Sequence, residues 1–148
     1  MKTILLTFAV LFALTGCGNA SGLYVGSLTK KTARSGYKTV TIEDNNAAVE
    51  AVPSRTGKWI IVTGLSQNPV YFDRAGTALS LASEASDATY SEDQNGVAEV
   101  VIKKDFTTGS GVYAPAVLNL ELAATETIDD GEKATYSITW EFAGSALQ

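Results

Sequence analysis

The chain contains no histidine, one cysteine and three prolines among its 148 residues. Without histidine it cannot build a serine–histidine triad, a histidine-ligated zinc site or an imidazole acid–base pair. A single cysteine excludes an internal disulfide and a thiolate cluster. The length fits one domain, because globular domains commonly have about 100 to 150 residues. We therefore expect one domain that uses neither a cofactor nor a metal ion.

The first sixteen residues have the pattern of an export signal. Lys2 supplies a positive charge, and residues 4–15 form a twelve-residue run without charge. This run is too short to span a membrane, which takes about 20 residues. The sequence therefore predicts a signal peptide at residues 1–16 that takes no part in the fold.

The end of this signal resembles the lipobox of bacterial lipoproteins. Leu14-Thr15-Gly16-Cys17 places an aliphatic and two small residues before the cysteine whose thiol would receive the lipid. The resemblance implies that Cys17 anchors the protein to a membrane through lipid, at the outer membrane or the cell surface. In the alternative, Gly18-Asn19-Ala20 is an ordinary cleavage site, and the protein is secreted from Ser21 onward.

The charge balance makes nucleic acid an unexpected partner. The chain has 11 basic and 16 acidic residues, whereas phosphate binding needs a basic face. The tightest basic cluster comprises Lys30, Lys31 and Arg34, with Lys38 close by. We interpret it as a solvated linker; contact with anionic headgroups beside a lipid anchor is the alternative.

Residues 17–36 are rich in glycine, serine, threonine and lysine. This composition predicts a flexible tether, or a donor-like first strand formed around Leu23 and Val25. The folded domain is then expected at residues 37–148.

From residue 37 onward the apolar residues recur with a period of two, which is typical of strands with one buried face. Val40 and Ile42 are expected to point inward, and residues 58–63 to form a central strand buried on both faces. Further strands are predicted at residues 70–72, 78–82, 87–91, 97–104, 118–122 and 135–142.

This pattern predicts an all-β fold, a single Ig-like β-sandwich after the signal peptide. Two packed sheets with Greek-key connections are preferred over an up-and-down closed sheet, because the predicted loops have uneven lengths.

Acidic and glycine-containing segments offer two kinds of site. Glu99 and Glu121 could form a carboxylate pair for glycoside hydrolysis, but their outward positions favour an acidic surface. The segments around Asn95-Gly96 and Asp129-Asp130-Gly131 share features with calcium loops, yet lack the later carboxylate, so hairpin turns are favoured.

Four aromatic residues could form a platform on which a sugar stacks: Trp59, Tyr71, Tyr90 and Tyr113. Trp59 lies in an apolar run, so packing in the core is the preferred interpretation. Tyr113 lies in the glycine-flanked segment 107–115, which we predict to be a flexible loop. It is therefore the candidate for contact with a ligand.

The domain resembles the Ig-like domains of fimbrial subunits. The residues that carry the resemblance are the strand Lys58–Gly64 and the final alternating strand Ala134–Phe142, preceded by the Asp130-Gly131 turn. The resemblance implies an Ig-like sandwich with a structural or adhesive role. The chain departs from many fimbrial subunits because it cannot form their disulfide.

The sequence thus predicts a non-enzymatic protein of the cell envelope, lipid-anchored or secreted, with a structural or adhesive role. Its expected partners are the membrane, through the lipid, and further copies of itself or other envelope proteins. A ligand- or glycan-binding module at the cell surface is the alternative function, and a carboxylate hydrolase ranks third.

The mature N-terminus tests the lipobox. We expect mass spectrometry of the protein recovered from its host to show a chain that begins at Cys17 and carries lipid. A mature chain that begins with a free Ser21 would show that the protein is secreted without an anchor.

Overall fold

The computed structural model describes residues 22–93 and 99–147. The signal peptide predicted at 1–16, the lipidation predicted at Cys17 and the turn predicted at Asn95-Gly96 lie outside the described residues.

The described chain folds into nine strands and one short helix. In chain order they are β1 Leu23–Ala33, β2 Val40–Pro53, β3 Trp59–Thr63, β4 Val70–Ala75, β5 Ala78–Leu81, α1 Ser83–Ser86, β6 Ala88–Asp93, β7 Glu99–Tyr113, β8 Val117–Asp129 and β9 Lys133–Ala146. The all-β prediction is confirmed.

Strands β8 and β9 follow the predicted alternation most closely. Leu118, Leu120 and Leu122 of β8 are all buried, and so are Trp140 and Phe142 of β9. The two strands pair along their whole length. Because every second side chain enters the same core, this hairpin forms one wall of the domain.

All strand pairs are antiparallel, and the strand order in the sheet is β5-β4-β3-β2-β1-β9-β8-β7-β6. A further pairing of β5 with β7 closes the sheet on itself, so that its opposed walls pack face to face around one core. Most neighbours in the sheet are also consecutive in the chain. The connectivity is therefore a meander, and the predicted Greek-key crossings do not occur between the described strands.

Strand β1 belongs to the folded domain. It pairs with β2 on one side and with β9 on the other, and Tyr24 is fully buried. Of the two alternatives for residues 17–36, the flexible tether is therefore wrong for residues 23–33, which form a strand paired within the same chain. The boundary placed at 37 falls inside the domain. The Thr and Lys residues of β1 concealed the length of this strand, because their polar side chains resemble a linker.

The predicted flexible loop at 107–115 is also wrong, because residues 99–113 form one long strand. A bulge interrupts the pairing of β7 with β8 between Phe106 and Thr108. Gly109 and Gly111 come after the bulge. At Gly111 a Cβ would collide with the carbonyl oxygen of Asn119. At Gly109 a Cβ would come within 2.9 Å of the Leu122 side chain. These glycines permit close packing inside the sheet.

An ion pair between β7 and β8 is largely buried. Lys104 on β7 is 5% exposed, and its Nζ lies 2.9 Å from Oε2 of Glu126 on β8. The same ammonium donates a hydrogen bond to Ser66 Oγ at 3.3 Å and lies 5.8 Å from the ring centre of Trp140. A charge buried in this way depends on its partner, because the surrounding core cannot solvate it.

We expect Glu126→Gln to lower the free energy of unfolding by about 2 kcal/mol, because it leaves Lys104 buried without a carboxylate. Urea denaturation measures the loss. The matched control is Asp105→Asn, which breaks the adjacent exposed pair of Lys103 and Asp105 (2.9 Å) and should cost under about 1 kcal/mol. Equal losses in the two variants would contradict a structural role for the buried pair.

Candidate functional site: the open edge of β2

A turn at Gly64 limits the length over which β2 pairs with β3, its second neighbour besides β1. Strand β3 pairs with β2 only over Glu50–Pro53. It ends at Thr63, and Gly64 then adopts a φ of +96°, where a Cβ would lie 2.6 Å from the Ala48 carbonyl oxygen. Only glycine fits so close to the neighbouring backbone in this conformation. The chain therefore leaves β2 at this point.

The loop that follows reaches from β3 to β7. Leu65 is buried in the hydrophobic cluster, and Ser66 accepts the hydrogen bond from Lys104 on β7. Beyond this loop the sheet no longer closes. Strands β2, β1, β9, β8, β7 and β6 continue there as an open curved sheet, with β2 at one edge and β6 at the other.

We call residues Val40–Asn46 the β2 edge. Val40–Asp44 pair with β1 on one side, and Asn45 and Asn46 lie where the register shifts. No described strand pairs with any of these residues on the other side. Every residue of the edge is exposed, including Val40 at 57% and Ile42 at 58%. An edge with unpaired backbone groups and exposed apolar side chains is a template for pairing with another strand.

The prediction that Val40 and Ile42 point inward holds for their direction but not for their burial. They pair with Thr32 and Lys30 of β1, and Lys30 in turn pairs with the buried Trp140. Residues paired in this way share one face of the sheet. Since the sheet is open at this end, that face is exposed to solvent.

The basic cluster lies on and beside β1, and most of it contacts β9. Lys30 Nζ is 5.8 Å from the Trp140 ring centre, and Lys31 Nζ is 3.8 Å from a carboxylate oxygen of Glu141. The Arg34 guanidinium lies over the rings of Tyr37 and Tyr136, at 4.7 and 5.6 Å. The interpretation of this cluster as a solvated linker is therefore wrong for these three residues.

A groove of about 450 Å³ lies on the outer face of the sheet. It is lined by Thr29, Ser110, Asn119, Glu121 and Glu141 among others. Glu121 and Glu141 face each other across β8 and β9, and both are exposed. A pair of carboxylates that acts as acid and base needs two different environments, whereas Glu121 and Glu141 are both exposed to solvent. The side chain of Glu99 is outside the described residues.

The acidic turn between β8 and β9 is a hairpin connection. Gly131 has a φ of +103°, and its N–H donates to a carboxylate oxygen of Asp129 at 3.2 Å. The N–H of Glu132 donates to Asp130 in the same manner, at 3.1 Å. These bonds hold the carboxylates to the local backbone, as expected for a turn. Within residues 22–93 and 99–147, no group of three or more acidic, histidine or cysteine side chains could hold a metal ion.

The aromatic candidates do not form one platform. Trp59 and Tyr71 lie together on the outer face, with ring centres 5.5 Å apart, and Lys58 Nζ is 4.4 Å from the Trp59 ring. Both rings are half-buried, so the expectation that residues 58–63 are buried on both faces is wrong. Tyr90 lies on β6 at the opposite edge of the open sheet.

Tyr113 ends β7, so it lies on a strand of the sheet and not in an exposed loop. It is half-buried, its ring packs edge-on to Tyr24 at 6.3 Å, and the Arg74 guanidinium lies 5.0 Å from its centre. The Tyr24 hydroxyl donates to the Ala114 carbonyl oxygen at 2.9 Å. These contacts give Tyr113 a role in packing where β7 ends; its contact with a ligand stays a prediction.

Comparison with protein-family models, curated proteins and solved structures gives no match. The geometry of the chain therefore has to carry the functional inference. No helix in the described part of the chain has the length and apolar character needed to cross a membrane.

The open edge predicts a specific pattern of amide exchange. In a strand paired on one side, alternate N–H groups point away from the ladder. We expect every second amide of residues 40–44 to exchange rapidly in dilute protein, while the amides of 118–122, which β7 and β9 flank, are protected. NMR-detected hydrogen exchange measures both segments in one sample. Uniform protection of residues 40–44 would contradict an open edge.

Proposed function

We propose that this protein is a non-enzymatic component of a bacterial cell envelope with a structural or adhesive role. It is exported and anchored through lipid on Cys17, or secreted if cleavage follows Ala20. It acts by accepting an extended segment of another polypeptide along the β2 edge. The observation that supports this proposal most directly is the exposed, one-sided pairing of Val40–Asp44.

Strand addition suits this edge for two physical reasons. The unpaired N–H and C=O groups of the edge provide main-chain hydrogen bonds that do not depend on the partner's sequence. Val40 and Ile42 provide exposed apolar surface that a partner strand would cover. Burial of such surface contributes about 25 cal/mol per Å². The main-chain hydrogen bonds and the apolar burial would therefore both favour the bound strand.

The neighbouring residues hold the edge in shape for a partner. Arg34 lies over Tyr37 and Tyr136, which ties the β1–β2 connection to β9. The Tyr37 N–H donates to the Arg34 carbonyl oxygen at 3.0 Å and closes the turn. A preformed edge loses less conformational entropy when it binds.

A ligand- or glycan-binding module remains the second candidate function. The observation that favours it is the outer pair of Trp59 and Tyr71, half-buried beside Lys58. Aromatic faces next to a polar group are suited to sugar rings and their hydroxyl groups.

Photo-crosslinking in the host envelope tests strand addition. We expect the photoreactive residue p-benzoylphenylalanine at position 42 to form an adduct with a protein partner, because a strand paired with the edge lies within its reach. The matched control carries the same residue at position 139, an exposed position on β9 between two paired strands, and should form none.

The absence of an adduct at position 42 would contradict the proposed function. If the protein instead shows saturable retention on a glycan array, and Trp59→Ala abolishes it, the second candidate is favoured.

A further inference from the structure

We infer that the strand added to the β2 edge is the β2 edge of a second copy of this chain, paired antiparallel about a two-fold axis that passes through Thr41. This inference rests on the proposed function and names its partner. It follows from the order of charged and apolar residues along the edge.

The open face restricts the geometry of such a pair. Val40, Ile42 and Asp44 share the inner face with Lys30 and Leu28 of β1, whereas Thr41 and Glu43 lie on the outer face. A two-fold axis perpendicular to the sheet keeps both inner faces on one side, so that the apolar surfaces of the two copies adjoin. Paired residues must then lie on the same face, and the axis must pass through a residue.

The axis through Thr41 gives the best match of side chains. It places Val40 opposite the partner's Ile42. Lys38 lies two residues before β2, and continuing the extended pairing over those two residues would place Lys38 opposite the partner's Asp44. Symmetry repeats both pairs, which gives two apolar contacts and two opposite-charge pairs. Lys38 and Asp44 are both exposed in the single chain, and opposite charges that face each other across strands are favourable.

The neighbouring registers match poorly. An axis through Ile42 places Val40 opposite the partner's Asp44 and Lys38 opposite the partner's Asn46. An axis through Val40 places Lys38 opposite the partner's Ile42. Each of these registers leaves an apolar side chain facing a charge, so charge and hydrophobicity favour the same single register.

The expected contact is small, and the association is correspondingly weak. A pair of short strands buries less than the roughly 1,200 Å² of total surface found in stable complexes. The exchange of subunits should therefore be reversible. Confinement of lipid-anchored copies to one membrane would raise their effective concentration without any new contact.

Charge reversal tests the pairing energetically. The experiment uses the chain as the host matures it, purified in detergent, with sedimentation equilibrium from about 1 μM to about 1 mM, a range suited to weak interfaces. We expect dimers that Lys38→Glu and Asp44→Lys each weaken about tenfold or more, since each variant creates two like-charge pairs.

A mixture of the two single variants should restore dimers, because both charge pairs become complementary in the mixed dimer. The double variant should also restore them. The control Arg55→Glu reverses an exposed charge at the β2–β3 turn and should leave the dimerisation constant unchanged. The lack of rescue in the mixture would overturn the proposed register.

Cysteine substitution tests the position of the axis. Only a residue on the axis faces its own copy, so Thr41→Cys should form a disulfide-linked dimer on mild oxidation. Glu43 lies on the outer face, and Thr39 directly precedes β2. Thr39→Cys and Glu43→Cys should not crosslink alone, although a mixture of the two should, because the extended pairing would place them opposite each other. Whether Cys17 carries lipid or is removed, the mature chain has no other free thiol.

The outcomes separate this inference from the function on which it depends. If the purified protein stays monomeric, and the photoadduct at position 42 contains a different protein, the second-copy inference fails and strand addition stands. If no adduct forms at position 42, both fail.

Discussion

The pairing of β5 with β7 is the constraint on which the rest of the fold depends. It comprises three residue pairs, Ala78↔Val112, Leu79↔Gly111 and Ser80↔Ser110. With the β5–β7 pairing in place, the apolar face of the sheet encloses a core; without this pairing the same face would be open to water. Close approach of β7 to β5 depends on glycine, because a Cβ at Gly109 would lie 3.0 Å from the Cβ of Leu81 on β5.

Because the sheet closes only at one end, its other end has open edges. Between the segments of β7 that pair with β5 and with β6, the Phe106 N–H has no strand partner, and it donates to the Asp87 carboxylate at 2.7 Å. The buried pair of Lys104 and Glu126 lies beside this transition. The long strands continue past it, but β3 has already turned away at Gly64. The β2 edge is therefore a consequence of unequal strand lengths in a sheet that can close over only part of its height.

The alternation of apolar residues predicted the all-β fold and most of the strands, because burial of every second residue is a local property of the sequence. The hairpin of β8 and β9, with Leu120 and Trp140 buried, is the clearest case. The exposure of Ile42 could not be predicted in this way, since it depends on where β3 ends, and the neighbours of a strand are not encoded in its own alternation. Strand β1 was only one of two alternatives because its outer and inner positions carry Thr and Lys, and the second half of β7 was missed because Gly109 and Gly111 resemble a loop. The sequence predicted the strand that contains Val40 and Ile42, but it could not predict that this strand lacks a paired neighbour on one side.

The position of β1 between β2 and β9 also governs the order of assembly. Tyr24 pairs with Ala146, so the first and last described strands lie side by side. While the chain is being made, β1 can form a hairpin with β2, but its other side stays unpaired until β9 has been synthesised. Contacts between residues so distant in sequence slow folding, because a long loop must close before they form. The pairing of β1 with β9 therefore has to wait for the whole chain, and until then β1 is a second strand with one unpaired side.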